Sequence, residues 1–247
     1  MQQNNFGQLS REYHKARRGY PDEVFDYLNS LVENGKNKTL DIGCGTGIST
    51  RQLKEKGFDV VGSDVDPKMI ALAKEVDNDI EYVIASASKL PFEDGQFDVI
   101  TAFTSFHWFT DRESMNEIRR VLKSDGVFFV ALKKADKGKV SEIFREEYVA
   151  ILKKYVGDRF DTSKDFFPLE VLKNNVFRDV VEKDFYIKEA YTVDEALTLL
   201  QSFSFWNLVP DEKKQFLSKE IKDLYERHLV EGFVVRDWEI QTVVGCK

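Results

Sequence analysis

Leu40-Asp41-Ile42-Gly43-Cys44-Gly45-Thr46-Gly47 is the stretch that decides the fold of this chain. Thr39 to Ile42 reads as a strand, the glycines as a tight turn, and Ile48 to Lys56 as a helix stopped by Gly57. One strand further on, Val60 to Ser63 runs into Asp64. Glycine has no Cβ and tolerates positive φ, so a ligand can lie close to the backbone of such a turn. A strand, a glycine turn, a helix and a second strand ending in an acid open the nucleotide-binding α/β folds.

The pattern continues outward in both directions. Pro21 to Glu33 reads as a helix with proline at its start. After Asp64, Asp66-Pro67 opens a helix to about Val76, and Glu81 to Ala85 is a third strand. Phe97 to Phe103 is a nearly continuous apolar run, as a strand covered on both faces requires. Asp111 to Leu122 reads as a helix, Ser124-Asp125-Gly126 as a turn, and Val127 to Leu132 as a fifth strand. This alternation predicts an α/β fold with a doubly wound, parallel sheet. Beyond Leu132 it breaks. Lys139 to Tyr155 and Phe166 to Asn174 read as helical, Val180 to Tyr191 as a strand, Val193 to Trp206 and Asp211 to Glu231 as helical, and Trp238 to Cys246 as a last strand. The simplest organisation is one domain over 1–247, with a core of about 21–135 and 176–247 and helical cap segments of about 139–175 and 193–232.

Composition narrows the partners. Lysine plus arginine number 36 against 43 aspartate plus glutamate, a net charge of −7. An acidic chain lacks the basic stripe that nucleic acid requires. No apolar run approaches the ~20 residues of a membrane helix, and no apolar core follows Met1-Gln2-Gln3-Asn4-Asn5 as in a signal peptide. Cys44 and Cys246 are too few for a disulfide framework or a zinc site, so no metal is expected. These readings predict a cytoplasmic protein, a monomer or homodimer, whose partner is a small molecule.

Which nucleotide the turn takes depends on spacing and charge. The glycines are spaced G-x-G-x-G, whereas the dinucleotide fingerprint is G-x-G-x-x-G. Asp41 would repel a pyrophosphate but attract an ammonium or sulfonium. S-adenosylmethionine carries both cations and a ribose whose hydroxyls suit Asp64. Two alternatives stand beside it: an NAD-dependent oxidoreductase, in which no cation faces Asp41, and a non-catalytic module that binds the cofactor.

From about Phe6 to Leu132 the chain resembles the class I S-adenosylmethionine-dependent methyltransferases, in particular the small-molecule branch of methyltransferase type 11. The resemblance implies a Rossmann-like seven-stranded sheet, mostly parallel with one antiparallel strand, plus a helical cap. It implies methyl transfer to a small-molecule acceptor, a carboxylate or a hydroxyl. By the same likeness Asp41, Gly43, Cys44, Gly45 and Gly47 cradle the methionine half of S-adenosylmethionine, Asp64 takes the ribose, and Val65 beside it is a further cofactor-binding residue. Met69 packs on the adenine, while Ser86 and the backbone amide of Ala87 reach its edge. Ser86 replaces the acid usual in the family. The run Phe103-Thr104-Ser105-Phe106-His107-Trp108-Phe109 looks like the trans-aconitate and related carboxyl methyltransferases. There the backbone at Phe103 and Thr104 meets the methionine, Trp108 walls the pocket, and His107 is the candidate general base. In Tyr13-His14-Lys15-Ala16-Arg17-Arg18, Tyr13 and one of the two arginines, taken as Arg18, would bind the methionine carboxylate. Aromatics of the cap, Phe160, Phe166, Phe167, Phe203, Phe205 and Trp206, supply core and pocket walls.

Overall fold

A computed structural model describes residues 14, 16–33, 35–135, 142–157 and 166–247 of the chain. Seven strands form one sheet in the order β3-β2-β1-β4-β5-β7-β6. They are β1 (Lys38–Ile42), β2 (Asp59–Asp64), β3 (Glu81–Ile84), β4 (Phe97–Phe103), β5 (Leu122–Ala135), β6 (Arg178–Tyr191) and β7 (Val234–Cys246). β1 to β5 pair in parallel throughout. On β6 and β7, residue numbers rise on one strand as they fall on the other: Thr242 donates to Lys183 O and Arg178 to Lys247 O, so this pair is antiparallel. The expected mostly parallel, seven-stranded sheet is present.

Eight helices accompany the sheet among the described residues: α1 (Asp22–Ser30), α2 (Ile48–Glu55), α3 (Pro67–Val76), α4 (Arg112–Val121), α5 (Glu142–Val156), α6 (Pro168–Asn174), α7 (Val193–Gln201) and α8 (Asp211–Arg227). None is long and apolar enough to cross a membrane. Local chemistry sets their starts. Asp66 caps α3 by accepting from Lys68 N at 2.9 Å, with Pro67 in the first turn. Asp111 caps α4, accepting from Ser114 N at 3.0 Å and Ser114 Oγ at 2.8 Å. Thr192 and Glu195 close a reciprocal capping box on α7.

The chain divides into two compact units. The sheet unit gathers Gly19–Lys134, Phe166–Phe185 and Glu239–Lys247; the helical unit gathers Met1–Arg18, Ala135–Asp165 and Tyr186–Trp238. The core of the sheet unit joins Leu40, Ile42, Phe97, Ile100, Phe106, Ile118, Phe128 and Val130. Every residue of β4 is buried, as a strand covered on both faces must be. The core of the helical unit joins Leu152, Leu199, Trp206, Leu217, Ile221, Leu224 and Tyr225. One segment differs from the sequence expectation: α6 belongs to the sheet unit, where Leu172 and Phe177 enter the main core, rather than to a cap.

Element bounds differ in further places, among them three with a visible cause. Ser124-Asp125-Gly126 is not a separating turn, because β5 starts at Leu122. The pairing steps from Phe97↔Leu122 to Val99↔Val127, so β4 advances two residues while β5 advances five. The surplus residues bulge outward. Buried Asp98 holds this irregular start, accepting from Lys123 Nζ at 2.7 Å and Lys38 N at 3.1 Å. The helix from Val193 stops at Gln201, and a 3-10 turn follows over Ser204–Leu208. α8 ends at Arg227, before a hairpin turn bridging Val230 and Phe233 across Glu231 and Gly232, both at positive φ.

Candidate cofactor site

The carboxyl ends of β1, β2, β3 and β4 lie along one edge of the parallel sheet, the edge where open α/β sheets bind ligands. The three glycines of the first turn all take positive φ: 68° at Gly43, 56° at Gly45 and 76° at Gly47. Their surroundings differ. A Cβ on Gly43 would stand 2.5 Å from Ser105 Cβ, and one on Gly47 would strike the Tyr82 hydroxyl. A Cβ on Gly45 would meet nothing within 4 Å. Gly43 and Gly47 are therefore required by packing as well as conformation, while Gly45 faces open space.

The amides of the turn are spent inside the protein. Gly43 N and Cys44 N both donate to Ser63 O, at 2.7 and 3.0 Å, and Gly47 N donates to Cys44 O at 2.9 Å. Gly45 N donates to Asp64 Oδ2 at 2.9 Å. A phosphate cradle works by turning such N–H groups towards the anion. Here four of them point elsewhere.

Asp41 departs from its expected role. Its carboxylate is 0 % exposed. It accepts from Thr101 Oγ1 at 2.9 Å, Ser49 Oγ at 3.0 Å and Thr50 Oγ1 at 2.7 Å. Burial pushes its pKa up to about 6, against the lowering effect of these hydroxyls. Asp41 thus lies beneath the turn and does not present its charge to a ligand cation. It ties the first turn of α2 to β4. A sequence shows the charge but not the three hydroxyls that enclose it.

Asp64 sits at the end of β2 and bridges the turn to the next helix, accepting from Gly45 N through Oδ2 and from Asp66 N through Oδ1, the latter at 2.9 Å. Burial raises its pKa, and the amides of Asp66, Gly45 and Val65 oppose the shift. A carboxylate has about four lone-pair sites, more than these amides occupy, so capacity remains for a ligand hydroxyl. Val65 beside it is 63 % exposed, an apolar surface open to solvent. Ser86 is exposed and its Oγ bonds Ser88 Oγ at 2.9 Å, while the side chain of Ala87 is buried. Met69 is 4 % exposed. Its thioether belongs to the core and offers little face to an adenine. Cys44 turns its side chain inward, and burial drives its thiol pKa well upward, so only its backbone belongs to the turn surface.

The end of β4 is clamped to the turn. Ser105 Oγ donates to Ile42 O at 2.8 Å. Thr104 takes a φ of 50°, uncommon for a residue with a Cβ. It is held by its N–H on Ala131 O at 2.7 Å, by Lys133 N on its Oγ1 at 3.2 Å, and by a hydrogen bond between that Oγ1 and the Tyr20 hydroxyl. Tyr20 is itself fixed by Gln52, which accepts from Tyr20 N at 3.0 Å and donates to Tyr20 O at 2.8 Å. Phe103 packs against Tyr20 and Phe25, with centroids 4.8 and 5.4 Å away. The sequence reading missed Tyr20, Gln52 and Ser105; only the Tyr20-Pro21 pair hinted at a fixed segment.

His107 and Trp108 lie on a 3-10 turn, Phe106–Trp108. Trp108 is 53 % exposed, available as a wall. The His107 ring lies 4.7 Å from that of Trp108 and 6.1 Å from that of Phe166. These neighbours desolvate it and lower its pKa, although the residue stays open to solvent. It is thus neutral at pH 7 and able to accept a proton.

Other expected residues fall elsewhere. Tyr13 and Phe160 lie outside the described residues. Arg18 is in the helical unit, donating to Ala190 O at 2.9 Å and resting 4.1 Å over the Tyr191 ring. Phe166 packs on Phe106 at 5.7 Å in the sheet unit, and Phe167 is exposed. Phe203 stacks on Phe205 at 5.7 Å, and Trp206 is buried.

Comparison with known proteins agrees with this geometry. Residues 40–130 match the family described as a methyltransferase domain. An uncharacterised methyltransferase of Schizosaccharomyces pombe is 25 % identical over 218 residues, which is 86 % of this chain and 84 % of that protein. The YcgJ protein of Bacillus subtilis shares the fold with a TM-score of 0.58 at 18 % identity, over 92 % of this chain and 98 % of that one. Phosphoethanolamine N-methyltransferase 2 of Haemonchus contortus, solved with S-adenosyl-L-methionine, aligns with a TM-score of 0.50 at 22 % identity over 92 % of this chain and 52 % of its own. In its strand order, its glycine turn and the match over residues 40–130, the chain is similar to the class I S-adenosylmethionine-dependent methyltransferases.

Proposed function

We propose that the chain binds S-adenosylmethionine along the carboxyl edge of β1 to β4 and directs its methyl group to a small-molecule oxygen nucleophile, a carboxylate or hydroxyl. The observation that carries the choice of cofactor is the saturation of the turn: Gly43, Cys44, Gly45 and Gly47 all donate within the protein. The carboxylate of Asp64 stands at the same corner, bonded by Gly45 N, while Asp41 lies enclosed beneath it. Such a corner repels a pyrophosphate and tolerates a cation. The open space over Gly45 fits a group lying flat on the backbone. The relative from Haemonchus contortus, solved with this cofactor, supports the assignment.

The bound cofactor supplies a methyl group on a sulfonium, which leaves a neutral thioether. The residues of this chain bind and orient. Asp64 accepts from the ribose hydroxyls, Val65 offers its exposed side chain to the base, and Ser86 and the Ala87 amide take the base edge. Thr104, locked at positive φ, presents its backbone beside the glycine turn. Alignment of this kind is worth several kcal/mol when reacting atoms are held near ~3 Å. A carboxylate acceptor is already ionised and requires no base. A hydroxyl acceptor would give its proton to His107, whose neutral ring is suited to take it.

Isothermal titration tests the cofactor. S-adenosylmethionine is expected to bind, and Asp64→Ala to weaken it at least tenfold. Binding of NAD with none of S-adenosylmethionine would overturn the reading. Incubation with methyl-labelled cofactor and a panel of small acids, phenols and amines tests the acceptor. Tight cofactor binding with no transfer to any of them would favour a non-catalytic module.

A further inference from the structure

The helical unit holds a guanidinium inside an aromatic frame. Phe144 and Tyr148 stand four residues apart on α5 and so share one face of that helix. Tyr225 stands on α8 and Arg236 on β7. The Phe144 ring stacks on Tyr148 with centroids 5.8 Å apart and on Tyr225 at 6.2 Å. Arg236 Cζ lies 5.5, 5.2 and 5.4 Å from the ring centres of Phe144, Tyr148 and Tyr225. Its Nη2 donates to the Tyr225 hydroxyl at 2.8 Å. Its Nε is sealed from solvent and has no hydrogen-bond partner.

No carboxylate pairs with this cation among the described residues. Asp237, next in the chain, lies 3.9 Å from Lys188, and Glu189 on β6 is bonded by the Tyr191 hydroxyl. Burial pushes the Tyr148 phenol upward, so that hydroxyl carries no counter-charge at neutral pH. A buried charge without an opposite charge costs several kcal/mol, and a guanidinium offers five donors in a planar fork. The rings offset part of that cost through their faces, and the Tyr148 hydroxyl joins that of Tyr225 as an acceptor, but Nε keeps none. Arg236 as a residue keeps partial exposure, so the frame is not closed.

We propose that Arg236, framed by Phe144, Tyr148 and Tyr225, is a binding site for a small-molecule carboxylate. One guanidinium supplies one positive charge and the N–H groups of its outer nitrogens that the tyrosines leave over, which match a carboxylate in charge and donor chemistry. A phosphate near two negative charges would be left under-neutralised by it. The flanking rings suit an acid whose carbon skeleton is apolar or planar.

Calorimetric titration of the full chain with phenylacetate, succinate and citrate tests the site, with phenylacetamide and inorganic phosphate as controls. At least one acid is expected to bind wild type, phenylacetamide is expected not to, and phosphate is expected to bind more weakly than the best acid. Arg236→Gln should lose affinity for that acid tenfold or more, and Tyr225→Phe, which keeps the cation, about threefold. Should Arg236→Gln fail to fold by circular dichroism, Tyr225→Phe and the phenylacetamide control decide. Failure of all three acids to bind, equal affinity in wild type and a folded variant, or a preference for phosphate overturns the proposal. Titration of S-adenosylmethionine into the same proteins should give unchanged affinity, so failure at Arg236 is distinguishable from failure of the cofactor reading.

Discussion

The three glycines of the first turn should respond differently to the same substitution. Gly43→Ala combines positive-φ strain of about 1–2 kcal/mol with a collision at Ser105, so unfolding should begin at clearly lower urea. Gly45→Ala carries the strain alone and should stay folded, yet lose S-adenosylmethionine affinity in titration because its methyl enters the open space. Asp41 gives a pH signature. Its folded pKa of about 6 lies above the ordinary carboxylate value, so the folded state holds the proton more tightly. Stability from this group is present at low pH and lost as pH rises from about 4 to 6, by on the order of 3 kcal/mol for a two-unit shift. Asp41→Asn lacks that loss. Its deficit relative to wild type in urea unfolding should therefore shrink between pH 4.5 and pH 7; a gap that stays constant would contradict the burial argument. The motif Leu40 to Gly47 was legible as a glycine turn between a strand and a helix, because glycine spacing is a local property. The duty of Asp41 was not, because Thr101, one of its three partners, lies 60 residues away.

Helix ends and strand pairings obey chemistry that is partly local. The capping box at Thr192 and Glu195 satisfies amides at the start of α7, so Thr192→Ala should cost about 1 kcal/mol, read as a lowered urea midpoint at unchanged slope. The segment before α1 behaves as a latch: Gln52 pairs with both backbone groups of Tyr20, and the Tyr20 hydroxyl reaches Thr104. Tyr20→Phe should lose about 1 kcal/mol of stability for one hydrogen bond and raise the KM for the cofactor more than it lowers kcat. An unchanged KM would mean that the latch serves packing alone. Strands β1 to β4 were readable because each is short and bounded by its own turn signal. β5 was not: Ser-Asp-Gly normally ends an element, yet here the buried Asp98 and its contacts with Lys123 and Lys38 draw those residues into the strand as a bulge.

The division of the molecule into a sheet unit and a helical unit follows no continuous stretch of sequence, since each gathers three separate segments. Composition hardly changes between them, which is why one domain with a cap was the natural expectation from the sequence. Residues 19–134 carry β1 to β5 but neither β6 nor β7, so β5 would become an unpaired edge bearing Phe128, Phe129 and Val130. Expressed alone, that piece is expected to elute as aggregates in gel filtration; a folded monomer would show that the last two strands are dispensable. The strand order also has a consequence for how the chain is made. β5 and β6 leave the ribosome before β7, yet β7 stands between them in the finished sheet. A nascent chain must hold those two strands about 10 Å apart, twice the usual spacing, until the strand that separates them arrives. The sheet is thus completed from within, and early pairing of β5 with β6 is the kinetic trap that synthesis has to avoid.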